Sequence, residues 1–469
     1  MTTIDEHVSE LLNLWTDATQ DLEENSSYYE AEHRPMALGL AVPPPMRHLL
    51  AKIGWASLYL DSLEERLNVE GFRMAQAAAA DDKLWEWWQA NNMDTASSQA
   101  HLEAMIYGRC YVTVSAPDPS DPLSDKTSPV IRVESPMSVF AEIDESTQRV
   151  IRAIRIIDKI GQPRKVTLYL PNATHFLAEA DTGGLQRWTN YRNPVNHNLG
   201  AVPVIPMLNK KRVGETYGKT EIRSSIKSAI DAACRLMMDL QAAAELMAIP
   251  QRVLFGADFD QLLSQTGGSK WEAYIANVLA FDDPDGKIQQ FAAAELQNFV
   301  NGMRQLEKNV ANDTGLPPQY LSFATDNPAS ADAIRASEAR LVTKSERKCN
   351  IFGEAWEQVM RMAMLVMTRS IPKQAYRMET TWRNPATPSF ASKADAVVKM
   401  ATAKTPDGRP VIPLEMARRE LGYSDGQLRQ MEKWDRESAS NILSDLYGVR
   451  ATEQPQTTQP EPDTVDQEE

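Results

Sequence analysis

Residues 219–249 read KTEIRSSIKSAIDAACRLMMDLQAAAELMAI, and this stretch decides how the chain is organised. It contains neither Pro nor Gly, and Pro250 follows it, which indicates a helix that ends before the proline. At 1.5 Å per residue the helix is about 45 Å long, the length of a strut rather than of a packing element in a small domain. Its apolar residues recur every three or four positions and form one stripe: Ile222, Ile226, Ile230, Ala233, Met237, Leu240, Ala244 and Met247.

The segment before this helix, VGETYGKTE at residues 213–221, lies where a nucleotide-binding phosphate loop would lie, between an apolar run and a helix. A phosphate loop needs the pattern G-x-x-x-x-G-K-[ST], because four intervening residues let successive backbone N–H groups surround the phosphates. Gly214 and Gly218 are separated by only three residues. The pattern favours a plain connector, with a nucleotide hydrolase that uses Lys219 and Asp282 as the alternative.

Charge and hydropathy narrow the class of protein. The net charge is −15 over 469 residues, and the last nineteen residues hold six acidic residues and no basic one, which leaves −9 for the rest of the chain. This balance argues against tight nucleic-acid binding, since phosphate neutralisation needs clustered Lys and Arg, but it allows a surface past which DNA slides. With no signal peptide and no window near the roughly 18 apolar residues of a membrane span, we expect synthesis in the cytoplasm.

The part of the chain before the strut changes its periodicity near Cys110. Residues 1–110 have mostly helical patterns, interrupted by the proline-rich VPPPM at residues 42–46. The stretches that follow are short, β-branched and separated by turn formers, which predicts an antiparallel sheet of hairpins: CYVTV, PVIRVES, SVFAEID, RVIRAIRIID, KVTLYL and THFLAEA.

The part after the strut begins with a β-like insert and returns to helix. The insert runs from PQRVLFG to AFDDPDGKIQQF and contains a Pro-Asp-Gly turn. A second helix is predicted from about residue 292 to 312, followed by the proline-containing loop LPPQYLSFATDNP. Asn327 and Pro328 suit the cap and first turn of the longest helix, which we expect to run to about Thr368. Its first half is densely charged, up to Lys348, which predicts a solvated or subunit-facing surface, and its second half is apolar enough to be buried.

Residues that could carry chemistry form no recognisable site. Cys110, Cys234 and Cys349 lie far apart without C-x-x-C spacing, which argues against a disulfide framework or a zinc site. The six His residues lack the spacing of a helical metal pair, so we expect neither a metal ion nor a cofactor. The tryptophans at residues 85, 87 and 88 have no neighbouring Arg, and burial in a helical core is a better interpretation than stacking on bases.

The order of helices, sheet, strut, β insert, returning helix, proline-containing loop and very long helix resembles the portal proteins of tailed double-stranded DNA bacteriophages. The most specific passages are LGAVPVIPMLNKKRVGETYGKTEI, MMDLQAAAELMAIPQRVLFGAD and TGLPPQYLSFATDNPASADAIRASEARLVTKSERKCNIFGEAWEQVMRMA. The resemblance covers about residues 30–445 and points to the long-tailed phages of actinobacteria.

The resemblance implies an α+β portal fold with a wing, a two-helix stem, a β-containing clip, a long wing-to-tunnel helix and a helical crown, assembled as a ring. The implied boundaries are an N-terminal arm at 1–30, the wing at 31–218, stem helices at 219–249 and 292–313, the clip at 250–291, the tunnel loop at 314–328, the long helix with the rest of the wing at 329–409, the crown at 410–448 and a disordered acidic tail at 449–469.

The resemblance also implies what the parts do. The ring, a dodecamer in the family, would form the channel at one capsid vertex through which DNA is packaged and ejected, and it would nucleate head assembly. The clip, with a turn at Asp283, Asp285 and Gly286, would dock the terminase large subunit and later the head-tail adaptor. The residues expected to face DNA are those of the tunnel loop: Gln319, Tyr320, Ser322, Phe323, Thr325, Asp326 and Asn327.

Further partners implied by the resemblance are the major capsid and scaffold proteins, with double-stranded DNA contacted weakly and without sequence preference. The protein would be a virion component that hydrolyses nothing, present in the host cytoplasm during assembly. Besides the nucleotide hydrolase, the remaining alternative is a non-portal virion or scaffold protein. That class predicts heptads sustained along the helices, which the β insert and the proline-containing loops interrupt.

Overall fold

The computed structural model describes residues 3–35, 51–248, 252–255, 278–281, 296–321, 331–386 and 390–438, except for residues 78, 123, 183–184, 211, 424–426 and 429. The chain divides into two compact units, Met1–Ala386 and Thr387–Glu469. The first unit combines helices with antiparallel sheets, so the expected α+β class is confirmed. In the described residues no helix is long and apolar enough to cross a membrane.

The predicted N-terminal arm is a helix that packs on a sheet. Helix α1 spans Ile4–Tyr29 and begins with a capping box, in which the Thr3 side chain accepts from the Glu6 N–H and the Glu6 carboxylate accepts from the Thr3 N–H. Val8 and Leu11 are fully buried in a cluster with residues of the five-stranded sheet. Helix α1 is therefore part of the body of the unit.

The segments predicted as a series of hairpins form two antiparallel sheets. The larger has the order β4-β5-β6-β7-β8, formed by Val139–Ile143, Val150–Ile157, Lys165–Tyr169, Ala173–Thr182 and Leu185–Asn196. The smaller has the order β3-β2-β9, formed by Val130–Glu134, Arg109–Ser115 and Val204–Leu208. Strand β8 is missing from the sequence interpretation, because its Arg, Asn and Pro residues hide the alternation that marks a strand.

The main core lies between short helices and one very long helix. Helices α2 (Trp55–Glu64), α3 (Asp82–Ala90) and α4 (Met93–Tyr107) and the antiparallel pair β1 (Val69–Arg73) and β12 (Glu379–Trp382) surround it. The ring of Trp88 lies 5.1 Å from that of Trp356, edge to face, and Trp87 is also buried. The predicted burial is thus confirmed for Trp87 and Trp88, and the ring of Trp85 stacks on that of Trp88. The three cysteines are free and buried.

Two helices form an antiparallel pair that corresponds to the predicted stem. Helix α5 spans Ser224–Ala248 and α6 spans Gln297–Thr314. The start of α5 lies beside the end of α6, where the Ser225 hydroxyl donates to the Asp313 carboxylate at 2.5 Å. Helix α5 begins five residues later than predicted, because residues 219–221 bond to the rest of the unit instead.

Part of the predicted apolar stripe on α5 is buried within the protomer. Ile226, Ile230 and Ala233 are buried, and a buried face also continues every four residues from Ile230 through Cys234, Met238 and Ala242. In the protomer, Met237 and Leu240 are only half-buried and Ala244 is exposed, so for these three residues the stripe stays a prediction. The three- and four-residue spacing of the sequence cannot distinguish a single stripe from two adjacent ones. Ile222 is buried but precedes the helix, and the Met247 side chain lies outside the described residues.

The remaining elements of the first unit are a pair of strands, a short helix and the longest helix. Strands β10 (Arg252–Phe255) and β11 (Val278–Phe281) pair in parallel, and they are the described parts of the predicted clip. Helix α7 is a single turn at Pro318–Leu321, and α8 spans Ala331–Thr368. The first described turns of α8 are exposed and its second half is buried, at Phe352, Trp356 and Val359 among others, as the charge pattern predicts.

The second unit is small and helical. It contains α9 (Phe390–Thr402), α10 (Leu414–Glu420) and further helical residues at 430–438. The Arg418 guanidinium binds the Asp435 carboxylate at 2.5 Å, which joins α10 to that last stretch. The predicted acidic tail at 449–469 lies outside the described residues.

Candidate functional site

The connector between β9 and α5 is held by two glycines that face each other. Gly108 and Gly218 both have positive φ, at 84° and 76°, which glycine adopts without strain. A Cβ added to Gly218 would lie 2.3 Å from the Gly108 carbonyl oxygen and 2.9 Å from the Asn209 nitrogen. The Lys219 N–H donates to the Asn209 carbonyl at 3.1 Å, so the connector packs directly on backbone.

This geometry differs from that of a phosphate-binding loop. The Gly108 carbonyl fills the space beside Gly218, and α5 starts only at Ser224, so its N-terminus does not follow the Gly-Lys pair. The Lys219 side chain is 70% exposed and lies 3.8 Å from Glu215. Strand β11, before Asp282, pairs with β10 and not with β9. The segment is a strand-to-helix connector, as the spacing of its glycines favours.

A buried ion pair lies at the end of this connector. Lys348 of α8 is 5% exposed and Glu221 is 2% exposed, and the Lys348 ammonium donates to the Glu221 carboxylate at 2.6 Å. The Asn209 amide donates to the same carboxylate at 3.1 Å and to the Lys219 carbonyl at 2.7 Å, while its oxygen accepts from Lys348. The Tyr59 hydroxyl donates to the other carboxylate oxygen at 3.2 Å. Both charges are therefore compensated by several hydrogen bonds, as burial demands.

Two further cations of α8 bind the end of α6. The Lys344 ammonium donates to the Thr314 carbonyl and, at 3.2 Å, to the Tyr59 hydroxyl. The Arg340 guanidinium donates to the Asn312 carbonyl at 2.5 Å. Carbonyls in the last turn of a helix lack intrahelical partners and carry partial negative charge, so they are favourable sites for cations. Burial, with the adjacent Glu221 carboxylate, raises the pKa of Tyr59 and keeps its hydroxyl protonated.

The first two residues of the predicted DNA-facing loop are attached to α8. The Gln319 amide donates to the Ser337 hydroxyl at 2.7 Å, and the Tyr320 hydroxyl donates to Glu338 at 2.9 Å. Arg66 in turn donates to the Tyr320 hydroxyl at 3.3 Å. The segment thus begins with an anchored helical turn, α7, rather than with a free loop. The other predicted loop residues, Ser322, Phe323, Thr325, Asp326 and Asn327, lie outside the described residues.

The end of α1 supports the first turns of α5. The Tyr28 hydroxyl lies 3.2 Å from the Asp231 carboxylate, and the His33 ring stacks on Tyr28 and lies 3.5 Å from the same carboxylate. Lys227 binds Glu24 at 2.8 Å. Burial and the Asp231 charge raise the pKa of Tyr28, so the hydroxyl stays a donor. The first turns of α5 are therefore held by α1, and Glu221, which precedes them, is held by Lys348 of α8.

His101 is a core residue. It is fully buried, its Nε2 accepts from the Trp356 indole N–H at 2.8 Å, and its ring stacks on Phe352. Burial lowers the pKa of His101 to about 3, which keeps it neutral. Among the described residues no group of His, Cys, Asp or Glu could hold a metal ion. The predicted clip turn at Asp283, Asp285 and Gly286 lies outside those residues.

The buried pair is the part of this site that sequence reasoning missed. Lys344 and Lys348 belong to the charged half of the long helix, which the sequence analysis treated as a solvated or subunit-facing surface, and for Lys348 that interpretation was wrong. One signal was available: Arg340, Lys344 and Lys348 recur every four residues and share a face of α8. The partner carboxylate at Glu221 is distant in sequence, and only folding brings it there.

Comparison with known protein sequences shows the family of this chain. The family described as "Phage portal protein, SPP1 Gp6-like" matches residues 9–442. A portal protein of Mycobacterium phage L5 is 48% identical over 452 residues, which cover 95% of this chain and 91% of that protein. A portal protein of Mycobacterium phage D29 is 47% identical over 452 residues, which again cover 95% of this chain and 91% of that protein.

Solved structures give weaker matches. A chain from the neck of an empty GTA particle computed with C6 symmetry has 13% identity and a TM-score of 0.44, covering 86% of this chain and 94% of that one. A chain from the neck of a native GTA particle computed with C12 symmetry has 13% identity and a TM-score of 0.37, covering 86% and 99%.

The sequence comparisons are decisive, because the family match spans most of the chain and the two relatives share nearly half of its residues over almost their full length. The chain belongs to the SPP1 Gp6-like family of phage portal proteins.

Proposed function

We propose that this portal protein works as a closed ring of identical subunits, a dodecamer as in the family, whose axial channel carries double-stranded DNA into and out of the capsid. The observation that carries the proposal is the second apolar face of α5. Met237, Leu240 and Ala244 remain half-buried or exposed in the protomer, beside a face that is already packed. A helix with apolar residues on two faces needs a second neighbour, and head-to-tail contacts between copies close into a ring.

The charge of the chain supports a conduit that does not hold its cargo. An acidic protein with few phosphate contacts allows DNA to slide, and repulsion keeps the duplex near the axis. The segment 314–328 would approach DNA, with Gln319 and Tyr320 at its anchored base. Ser322, Phe323, Thr325, Asp326 and Asn327 would complete it, and neither Lys nor Arg occurs in the segment.

The remaining assignments follow the same proposal. The insert 250–291, with β10, β11 and the turn at Asp283, Asp285 and Gly286, would dock the terminase large subunit and then the head-tail adaptor. The major capsid and scaffold proteins would surround the ring as it nucleates head assembly in the host cytoplasm. The protein would have no enzymatic activity of its own, and the solvent-exposed Lys219 beside Glu215 supports this view.

The first test is negative-stain electron microscopy of the purified protein, together with its mass in solution. We expect rings with an axial hole and a mass that is an integral multiple of the 52.4 kDa chain. A monodisperse monomer at high concentration would contradict the ring, and an ATPase assay of the wild type and Lys219→Ala would then test the alternative.

The second test addresses the DNA-facing segment. Deletion of residues 321–325 is expected to reduce the amount of DNA retained in assembled heads, while rings still form. A variant that replaces the same five residues with Gly and Ser keeps the chain length and separates the effect of the side chains from that of loop length. Normal packaging and retention in the deletion variant would show that the assignment of this segment is wrong.

A further inference from the structure

One continuous set of polar contacts joins the start of α5 to the end of α6. Lys348 binds Glu221, the Tyr59 hydroxyl donates to Glu221, and Lys344 binds both the Tyr59 hydroxyl and the Thr314 carbonyl. Glu221 precedes the first turn of α5, and Thr314 is the last residue of α6. The two stem helices are thus linked at their bases through side chains of α8 and α2.

The cations that make these contacts share one face of α8. Arg340, Lys344 and Lys348, here called the cation row, are spaced four residues apart, which puts them one above another on the helix. Arg340 and Lys344 bind carbonyls at the end of α6, and Lys348 binds the residue that leads into α5. Consecutive turns of one helix therefore hold both stem helices.

The polar contacts of the cation row depend more strongly on direction than apolar packing contacts do. A buried ion pair has to offset the loss of hydration of both charges, and apolar residues of similar volume often stabilise a core equally well. Hydrogen bonds to particular carbonyl and carboxylate oxygens specify one arrangement of α8 against the stem, whereas apolar contacts tolerate small shifts. The site is therefore suited to fixing a position.

We propose that the cation row couples the two stem helices, so that the connector at residues 219–221 and the end of α6 at residues 314–316 open together and not independently. A displacement of α8 is then transmitted to both stem helices at once. The coupling is a property of the protomer, and only its consequence for DNA passage rests on the proposed function.

Hydrogen exchange detected by mass spectrometry tests the coupling in the full-length protein. The amides of Lys219 and Glu221 donate to Asn209 and Met105, and that of Gly315 donates to Ala311, so each place has its own reporter. Lys348→Met removes the cation at the connector. We expect about tenfold faster exchange at residues 219–221 and also at 315–316, with no change in β5.

Two further variants, one at the other lysine and one at an exposed position, show whether the effect of Lys348→Met reflects coupling. Lys344→Met removes the cation at the end of α6 and is expected to accelerate exchange at both places as well. Arg347→Met removes an exposed charge from the neighbouring position of α8 and is expected to change neither. If each Lys variant accelerates exchange only beside its own position, the two stem helices are not coupled and the proposal is overturned.

A milder variant keeps the test valid if the Lys variants do not fold. Tyr59→Phe removes only the hydroxyl that joins the two halves of the contact set, and it keeps the buried ring. We expect the same paired acceleration, and unchanged exchange at both places would overturn the proposal. Because exchange is read within the protomer, this outcome is distinct from a failure to form rings, which microscopy of the same sample detects.

Discussion

At the scale of single residues, Lys348 and Glu221 show what burial of charge requires in this protein. Each is almost inaccessible to solvent, and each finds a charged partner as well as Asn209 or Tyr59. Removing one partner of such a pair costs about 3–5 kcal/mol, because the other charge remains buried without compensation. Glu221 is the last residue of the connector before α5, and its position is therefore fixed by Lys348, Asn209 and Tyr59.

His101 gives the protein a pH dependence whose sign can be worked out. The residue titrates near pH 6.5 in the unfolded chain, whereas burial lowers its pKa to about 3 in the folded protein. Between these values the unfolded state binds a proton that the folded state does not, so stability falls as the pH falls below about 6.5. The loss is about 1.4 kcal/mol per pH unit.

The variant His101→Gln tests this dependence, because Gln can accept from the Trp356 indole but does not titrate. Relative to the variant, the wild type is expected to lose about 2 kcal/mol between pH 7 and pH 5. The measurement is urea unfolding of both proteins at one protein concentration. Half-buried carboxylates such as Glu103 and Glu357, whose pKa values are raised by partial burial, contribute equally to both proteins and cancel. Parallel pH profiles would contradict the assignment.

At the scale of elements, the connector before α5 depends on one of its two glycines. Gly218→Ala combines a positive φ with a Cβ that meets the Gly108 carbonyl, and we expect it to lower the free energy of unfolding by about 2–4 kcal/mol. Gly214→Ala is the matched control, because nothing lies within 4 Å of its added Cβ, and its effect should stay within about 0.5 kcal/mol. Urea unfolding compares the two, and equal losses would show that the close approach of the backbones is not what stabilises the connector.

Helix α5 makes a second prediction, because its two apolar faces should have different roles. Met238 is 1% exposed, and Met238→Ala is expected to cost about 2–4 kcal/mol in folding stability. Met237 is half-buried, so Met237→Ala should cost less than about 1 kcal/mol in the protomer but weaken association between copies. Unfolding and light scattering of both variants separate the two effects. Intact association in Met237→Ala would argue against this face as a subunit contact.

At the scale of the whole molecule, the two units differ in how much core they contain. In the described part of residues 387–438, the buried apolar residues are Val397, Ala417 and Leu428. More apolar side chains of that part are exposed than buried: Val398, Met400, Val411, Leu414, Met416, Tyr423 and Trp434. Short helices with so little burial are marginal in water.

A fragment of residues 387–469 is therefore expected to show little helix by circular dichroism and no cooperative unfolding transition. A fragment of residues 1–386 contains the main core and should unfold cooperatively, since its clusters are made within that range. Cooperative unfolding of the isolated second unit would contradict this account. It would mean that residues outside the described set supply a core of their own.

The features of this protein that can be predicted from its sequence are those set by residues close together along the chain. Periodicity identified the hairpins, α5, α6 and the long α8, because these patterns repeat every two or every three to four residues along the chain. The passages that resemble portal proteins identified the family, and the spacing of Gly214 and Gly218 was enough to argue against a phosphate loop. These conclusions need only residues that are close together in sequence.

Tertiary structure alone decided the rest. Which face of α5 is buried, where α5 begins, and that Lys348 is inside the protein all depend on groups from other elements: Asn209 and Met105 bond to the connector, and Glu221 binds the lysine. A charged residue in a charged stretch looks solvated until its distant partner is known. The physical reason is that burial of a charge is decided by the contacts that compensate it, and these are made across the fold rather than along the chain.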